Sequence, residues 1–311
     1  MSHKSKVFVP VMLTPFRENG EVDFDGLTKL TEFYLEAGAG GLFANCQSSE
    51  MFSLSDQERL AVTEHVIKVA AGAVPVVAAG TFEGTTEQQA DFVKRMHDTG
   101  TDAVITITGM IVDESASDEA FNDHFYKLLD LTAGIPLGFY ECPLPYKRLL
   151  SSNQIKDFVD TGRIIYYKDT CLDINLIKSR LEATKHVPSF GLYDAYMAHA
   201  VESLKAGSAG LSCIQGNYFP ELIVWLCNNY DDSSKAEEVA RVQQFFIDNM
   251  DVMHTVYPVV AKYFLQKRGL NMSRFTRNKV GDFNNDVRAA IDKLFNDYTE
   301  LFQAVELTPV T

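Results

Sequence analysis

Short apolar runs rich in Val and Ile alternate along the chain with longer stretches in which apolar residues recur at helical spacing. The runs fall at residues 7–13, 41–45, 75–80, 103–108, 136–140, 164–168, 187–191 and 210–214. The helical stretches fall at 25–37, 55–71, 86–99, 117–132, 152–160, 172–183, 194–205 and 219–230. A short run that is apolar throughout suits a strand buried on both faces, the usual state of a strand in a parallel sheet. Ser55, with Glu58 three positions on, has the pattern of a capping box. Asp25 opens another helix, which runs down to the glycine stop at Gly38 to Gly41.

Eight such βα repeats in succession, with no linker between them, predict a (β/α)8 barrel, the TIM barrel, over residues 1–230. A doubly wound sheet is the main rival, but no G-x-G-x-x-G follows the first run. Residues 231–311 carry helical periodicity at 236–254, 258–267 and 286–300 and no strand pattern. Their charged, Leu-poor faces are thin for an independent core, so they are read as a C-terminal helical appendage packed on the barrel.

Charge narrows the partners. The 311 residues hold 28 Lys and Arg against 42 Asp and Glu, a net charge of −14. Such a surface repels phosphate backbones and anionic lipid, so neither nucleic acid nor a membrane is expected as a partner. The segment from Met1 to Lys6 is followed by an apolar stretch interrupted at Pro10, too short for a leader or a membrane span. Five cysteines, at 46, 142, 171, 213 and 227, are odd in number and contain no C-x-x-C pair. No disulfide framework or structural zinc site is expected, and a cytoplasmic, reducing location fits. The basic residues of 262–277 are read as a solvated or subunit-contact surface.

In a barrel of this kind the chemistry gathers at the carboxyl ends of the strands. Those ends carry Thr14, the polar cluster from Asn45 to Glu50, Tyr140 to Pro143, Lys168-Asp169-Thr170, Asp194, and Gln215 to Asn217. Lys168 is the most informative. Alternation places Ile164, Tyr166 and Lys168 on one strand face and Ile165 and Tyr167 on the other. If the first face points inward, burial disfavours the ammonium and yields a neutral amine able to attack a carbonyl. The plainer alternative is a lysine that reaches the barrel rim or pairs with Asp169. Cys46, Cys142 and Cys171 all follow strand ends, which suggests a thiolate or metal cluster, although cysteine is also a small buried hydrophobe. The histidines lie mostly within helices or before strands, so no metal is expected. No glycine-rich helix start beyond Gly216 follows the last runs, and the substrate is expected to be a non-phosphorylated acid.

Leu13-Thr14-Pro15-Phe16 with Asp23, the cluster ending at Glu50, Tyr140-x-x-Pro143, Lys168-Asp169, Gly191 to Asp194 and the Gly210 to Pro220 stretch together resemble the dihydrodipicolinate synthase and N-acetylneuraminate lyase family. The resemblance spans nearly the whole chain. It implies a class I aldolase, without a cofactor, in which a lysine forms an imine with pyruvate or another 2-oxo acid. It also implies a homo-oligomer, a tetramer or a dimer. Carried across, Lys168 falls on the Schiff-base lysine and Tyr140 on the proton-moving tyrosine. Gln47, Ser48, Ser49 and Ser212 form the expected substrate-binding set, with Ser48 and then Ser49 on the carboxylate, and Glu50 is read as an acceptor for loop N–H groups.

Three departures stand out. Gln47 takes the place of a threonine that links tyrosine hydroxyls, and an amide cannot donate and accept through one atom. Thr108-Gly109-Met110-Ile111 stands where relatives carry two tyrosines. Pro145 stands where synthases hold an acceptor carboxylate with arginine, and only Lys147 and Arg148 are near it in sequence. These changes argue against dihydrodipicolinate synthesis and for a different aldehyde or a lyase running toward cleavage. A repurposed barrel that binds a 2-oxo acid or sugar acid without turnover is the alternative.

Overall fold

The computed structural model describes residues 5–310. Residues 1–4 and 311 lie outside the described residues, among them part of the basic N-terminal segment and the outer ends of the ranges 1–230 and 231–311.

Eight strands alternate with eight helices. The strands are β1 (Val7–Phe8), β2 (Leu42–Asn45), β3 (Val76–Ala79), β4 (Ala103–Ile107), β5 (Leu137–Tyr140), β6 (Ile164–Asp169), β7 (Gly191–Asp194) and β8 (Gly210–Leu211). Helices α1 (Phe24–Glu36), α2 (Asp56–Ala70), α3 (Thr86–Asp98), α4 (Asp118–Leu131), α5 (Ser152–Asp160), α6 (Ile174–Thr184), α7 (Ala200–Ala206) and α8 (Pro220–Asn229) follow them in turn. The strands pair in parallel in the order β1-β8-β7-β6-β5-β4-β3-β2. A parallel bridge from Val11 to Phe43 joins the two ends. Across it the Phe43 N–H donates to Pro10 O at 3.0 Å and the Met12 N–H to Phe43 O at 3.1 Å. The sheet thus curls into the arrangement of a (β/α)8 barrel. Pro10 has no N–H to give on the side that faces β2, where its O accepts from Phe43, and there the pairing is reduced to that isolated bridge.

Two local expectations need correction. The run 187–191 is not the seventh strand, because residues 187–190 form a turn in which the Phe190 N–H donates to Val187 O at 3.2 Å. Proline at 188 suits a turn better than a central strand. β7 therefore begins at Gly191, and Asp194 ends a strand instead of opening a helix, α7 starting only at Ala200. Asp25 is not the cap of α1; Asp23 holds that position and Asp25 sits in the first turn. Ser55 does cap α2, its Oγ accepting from the Glu58 N–H while Glu58 Oε2 accepts from the Ser55 N–H at 2.8 Å.

Beyond α8 the chain forms α9 (Ala236–Asp248), α10 (Met250–His254), α11 (Val259–Lys267) and α12 (Asn285–Ala304). The stretch predicted as one helix over 236–254 breaks at Asn249, whose amide Nδ2 donates to Phe245 O at 2.9 Å. One apolar core unites Phe8, Met12 and Tyr34 with Phe219, Phe264, Tyr298 and Phe302. Of the basic residues near α11, Lys267 is exposed and Arg274 and Arg277 are half-buried, but two do not belong to a solvated surface. Lys262 is 0% exposed and Arg268 is buried in an ion pair with Glu221.

Candidate active site

Lys168 ends the inward face of β6, directly across from Tyr140 on β5. Its Nζ lies 4.2 Å from the centroid of the Tyr140 ring and 5.9 Å from that of Phe43. Only 4% of the residue is exposed. Among the described residues no hydrogen bond or ion pair reaches Nζ. Burial pushes the amine below the ordinary lysine value, and the thiols of Cys46, Cys142 and Cys213 only partly oppose the shift. Burial also raises Cys142 to about 11 and Cys213 to about 12, so at neutral pH these two thiols supply no compensating charge.

Pairing with Asp169 is excluded by the pleat. Tyr167 and Asp169 point outward, where Asp169 Oδ2 accepts from Arg180 at 2.5 Å. Arg180 also donates to both oxygens of Glu141, at 2.6 and 3.2 Å, and the Tyr167 hydroxyl donates to Glu141 at 2.6 Å. The side chains of Glu141, Asp169 and Arg180 are all fully buried. This ionic cluster locks β5 and β6 to α6, and with them the neighbours Tyr140 and Lys168. Strand periodicity places Asp169 outward, but nothing in the sequence shows that it meets Glu141 and Arg180.

After β2 a single 3-10 turn (Gln47–Ser49) presents its side chains in different directions. Gln47 Oε1 accepts from the Tyr140 hydroxyl and from the Cys142 thiol, both at 3.4 Å. Burial holds the Tyr140 hydroxyl well above the usual tyrosine value, hence protonated. Ser48 lines the cavity, and its Oγ accepts from the Tyr257 hydroxyl at 2.8 Å. Ser49, expected on the substrate, turns inward: its Oγ donates to Met12 O at 2.7 Å and accepts from the Cys46 N–H at 3.1 Å. It holds the turn in place and does not line the cavity. Glu50 adopts the left-handed region at φ 57°. Its Oε2 accepts from the N–H groups of Arg277 and Asn278, at 2.8 and 2.9 Å, and Lys262 lies 3.5 Å from Oε1. Glu50 thus draws residues 277–278 over the barrel mouth.

These groups open into a cavity of about 740 Å³ that also takes in Ser212, Cys213, Lys147 and Pro143. Ser212 is fully buried, and its Oγ accepts from the Tyr166 hydroxyl at 3.2 Å. Tyr166 itself stacks on Tyr193 with centroids 4.6 Å apart, forming part of the barrel interior below the lysine. Lys147 reaches the cavity edge, where its Nζ donates to Thr170 O at 2.8 Å. Arg148 points away, donating to Ala116 O and Asp118. Phe52, Leu144 and Leu172, three of the exposed large apolar side chains, stand at the mouth. Met110 and Ile111 do not line it. At Gly109 a Cβ would come within 2.2 Å of Tyr146 O, so this segment is shaped by close backbone packing.

The expected cysteine grouping is different in detail: Cys213 joins Cys46 and Cys142 near Lys168, while Cys171 lies past the outward-facing Asp169. Among the described residues no group of three His, Cys, Asp or Glu side chains could hold a metal ion. No helix of the described residues is long and apolar enough to cross a membrane.

Sequence reasoning missed Tyr257, which precedes α11 and comes to the cavity from outside the eight repeats. Its hydroxyl receives a hydrogen bond from Asn217 Nδ2 at 2.7 Å. Asn217 Oδ1 in turn accepts from the Tyr34 hydroxyl. An aromatic residue between two helical stretches carries no local mark of such a role.

Fold and site together define a βα barrel with an unpaired, buried amine at the end of its sixth strand. Residues 4–297 match the Dihydrodipicolinate synthetase family, and the chain belongs to that family. The 4-hydroxy-tetrahydrodipicolinate synthase of Bacillus subtilis is 25% identical over 262 residues, 84% of this chain and 88% of that protein. The enzyme of the same name from Ruegeria pomeroyi is 27% identical over 288 residues, 91% and 95% of the two chains. The dihydrodipicolinate synthase of Thermotoga maritima superposes with a TM-score of 0.84 at 19% identity, covering 96% of this chain and all of that one. YagE, a prophage protein of the family from E. coli K12 solved in complex with pyruvate, gives a TM-score of 0.84 at 21% identity, with 94% and 98% covered. The family consists of pyruvate-dependent class I aldolases, carbon-carbon lyases.

Proposed function

We propose that this protein is a Schiff-base lyase that cleaves or forms a carbon-carbon bond between pyruvate, or another 2-oxo acid, and an aldehyde. The observation that carries this reading is the unpaired Lys168 Nζ, buried beside the Tyr140 ring and open to a cavity of substrate size. The neutral amine adds to the C2 carbonyl and the Tyr140 hydroxyl gives its proton to the departing oxygen, so that water leaves and a protonated imine, the electron sink, remains beside the Tyr140 oxyanion. In cleavage the Tyr140 oxyanion takes the C4 hydroxyl proton, the C3–C4 bond breaks to release the aldehyde, and Tyr140 passes that proton on to C3 of the remaining enamine. Water then hydrolyses the imine to free the 2-oxo acid and the lysine. Condensation runs the same steps backward, Tyr140 returning its proton to the new alkoxide. Ser48 holds the 2-oxo acid carboxylate, with Gln47 and Ser212 bordering it.

The acceptor differs from that of dihydrodipicolinate synthesis. Pro145 offers no cation, and Arg148 is committed to Asp118 and Ala116. The apolar side chains of Phe52, Leu144 and Leu172 at the mouth suit an aldehyde with an apolar substituent. The active form is a homo-oligomer, as the family resemblance implies. The test is pyruvate release from a panel of 4-hydroxy-2-oxo acids, sialic acid and 3-deoxy sugar acids. Release by the wild type and none by Lys168→Ala supports a lyase. Binding of a 2-oxo acid without release from any substrate supports the repurposed, non-catalytic barrel instead.

A further inference from the structure

We propose that Tyr34, Asn217 and Tyr257 form a one-way hydrogen-bond chain that forces Ser48 to present its proton to the 2-oxo acid carboxylate, making Asn217 and Tyr257 positioning residues for substrate. This rests on the Schiff-base reading of the site. The direction of the chain follows from counting donors. Asn217 Nδ2 lies 2.9 Å from Val11 O, a backbone carbonyl that can only accept, which fixes the amide the right way round. Asn217 Oδ1 accepts from the Tyr34 hydroxyl. The second Nδ2 proton goes to the Tyr257 oxygen at 2.7 Å. Tyr257 therefore sends its own proton onward, to Ser48 Oγ at 2.8 Å. Ser48 Oγ has accepted, and among the described residues it makes no other hydrogen bond. Its proton is left for whatever enters the cavity that Ser48 and Lys168 share. Burial keeps Tyr257 protonated, so the chain does not reverse at neutral pH.

The arrangement has a functional consequence. An isolated serine hydroxyl rotates freely and presents a donor or a lone pair with similar ease. Here the lone pair facing Tyr257 is occupied, so the hydroxyl meets an anionic carboxylate as a donor already oriented, without ordering it on binding. Tyr34 and Asn217 are both fully buried and well away from solvent, so the polarity is set inside the barrel wall.

The test is a double-mutant cycle on Tyr257→Phe and Ser48→Ala, read as the pyruvate concentration that half-saturates borohydride trapping on Lys168. Tyr257→Phe keeps the ring and removes the donor. It should raise the half-saturating concentration roughly two- to tenfold, the scale of ordering one side chain on binding, with the trapping rate at saturation changed far less. In the Ser48→Ala background the same change should have little further effect, because its route to substrate is gone. Asn217→Asp, whose carboxylate can only accept, should reverse the chain and weaken pyruvate at least as much. Equal effects of Tyr257→Phe with and without Ser48, or no effect in either, overturn the chain. Wild type that traps no 2-oxo acid overturns the Schiff-base reading and this proposal with it.

Discussion

At the scale of single residues, Lys168 is where stability and reactivity conflict. A lysine whose value in the folded chain lies below the ordinary 10.5 binds fewer protons folded than unfolded between those two values. Its penalty on folding is therefore complete below the lowered value, shrinks as pH rises through that interval, and is gone above 10.5. Lys168→Met should stabilise the protein at neutral pH by about 1–3 kcal/mol, the cost of a buried polar group left without a partner. Urea unfolding at pH 7 and again near pH 10 checks this, and the gain should shrink at the higher pH. The same shift makes imine formation faster as pH rises, levelling off at lower pH than for an exposed lysine. The inward placement of Lys168 was legible from alternation along Ile164, Tyr166 and Lys168. The fate of Ser48 and Ser49 was not. A single 3-10 turn sends one hydroxyl to the cavity and its neighbour to the backbone of Met12, and residue type alone cannot choose between them.

Among the elements, the loop after β2 and the segment before α12 hold each other. Glu50 accepts two backbone N–H groups from Arg277 and Asn278, and the Arg277 guanidinium reaches Gly20 O, Ser53 O and Glu58. The Arg277 side chain holds Glu58 down at about 2, so the clamp persists through ordinary acidity. Lys262, pushed down to about 8 by burial, donates to Phe275 O at 2.7 Å from below. Glu50→Ala should release residues 275–280 from the barrel mouth. Faster amide exchange confined to that segment, with a loss of about 2–4 kcal/mol in stability, is the expected result, since two hydrogen bonds to a charged acceptor disappear. Unchanged protection there would show that the segment is held by other contacts. The alternation of runs and amphipathic stretches revealed the order of these elements. It did not reveal the clamp, because Glu50 and Arg277 lie in different parts of the chain and meet only once the barrel has closed. At 187–191 the signal is present but outweighed: Val187 and Phe190 give the look of a strand, and only Pro188 marks the turn that the chain makes there.

For the molecule as a whole, the division into residues 1–230 and 231–311 marks a change of pattern, and we propose that it is not a boundary between units that fold alone. Phe264, Tyr298 and Phe302 share one core with Phe8, Met12 and Tyr34, and Arg268 is buried against Glu221 at the start of α8. A chain ending at residue 230 would expose that apolar face and deprive Glu221 of its guanidinium partner. It should fail to give a cooperative thermal transition, whereas the full chain should give a single one by calorimetry. Two transitions in the full chain, or a folded truncation, would contradict this. Tyr257 explains why the site was only partly legible: the C-terminal region supplies a wall of the cavity, and a count of strand ends cannot see it.

The chemistry of this protein turns on one nitrogen, Lys168 Nζ. The most direct measurement is incubation of the full-length protein with pyruvate and borohydride, followed by peptide mass analysis. The account predicts a reduced three-carbon adduct on Lys168 and none in Lys168→Met. An unmodified Lys168 after trapping with pyruvate and a range of other 2-oxo acids, or an adduct on a different lysine alone, would contradict it.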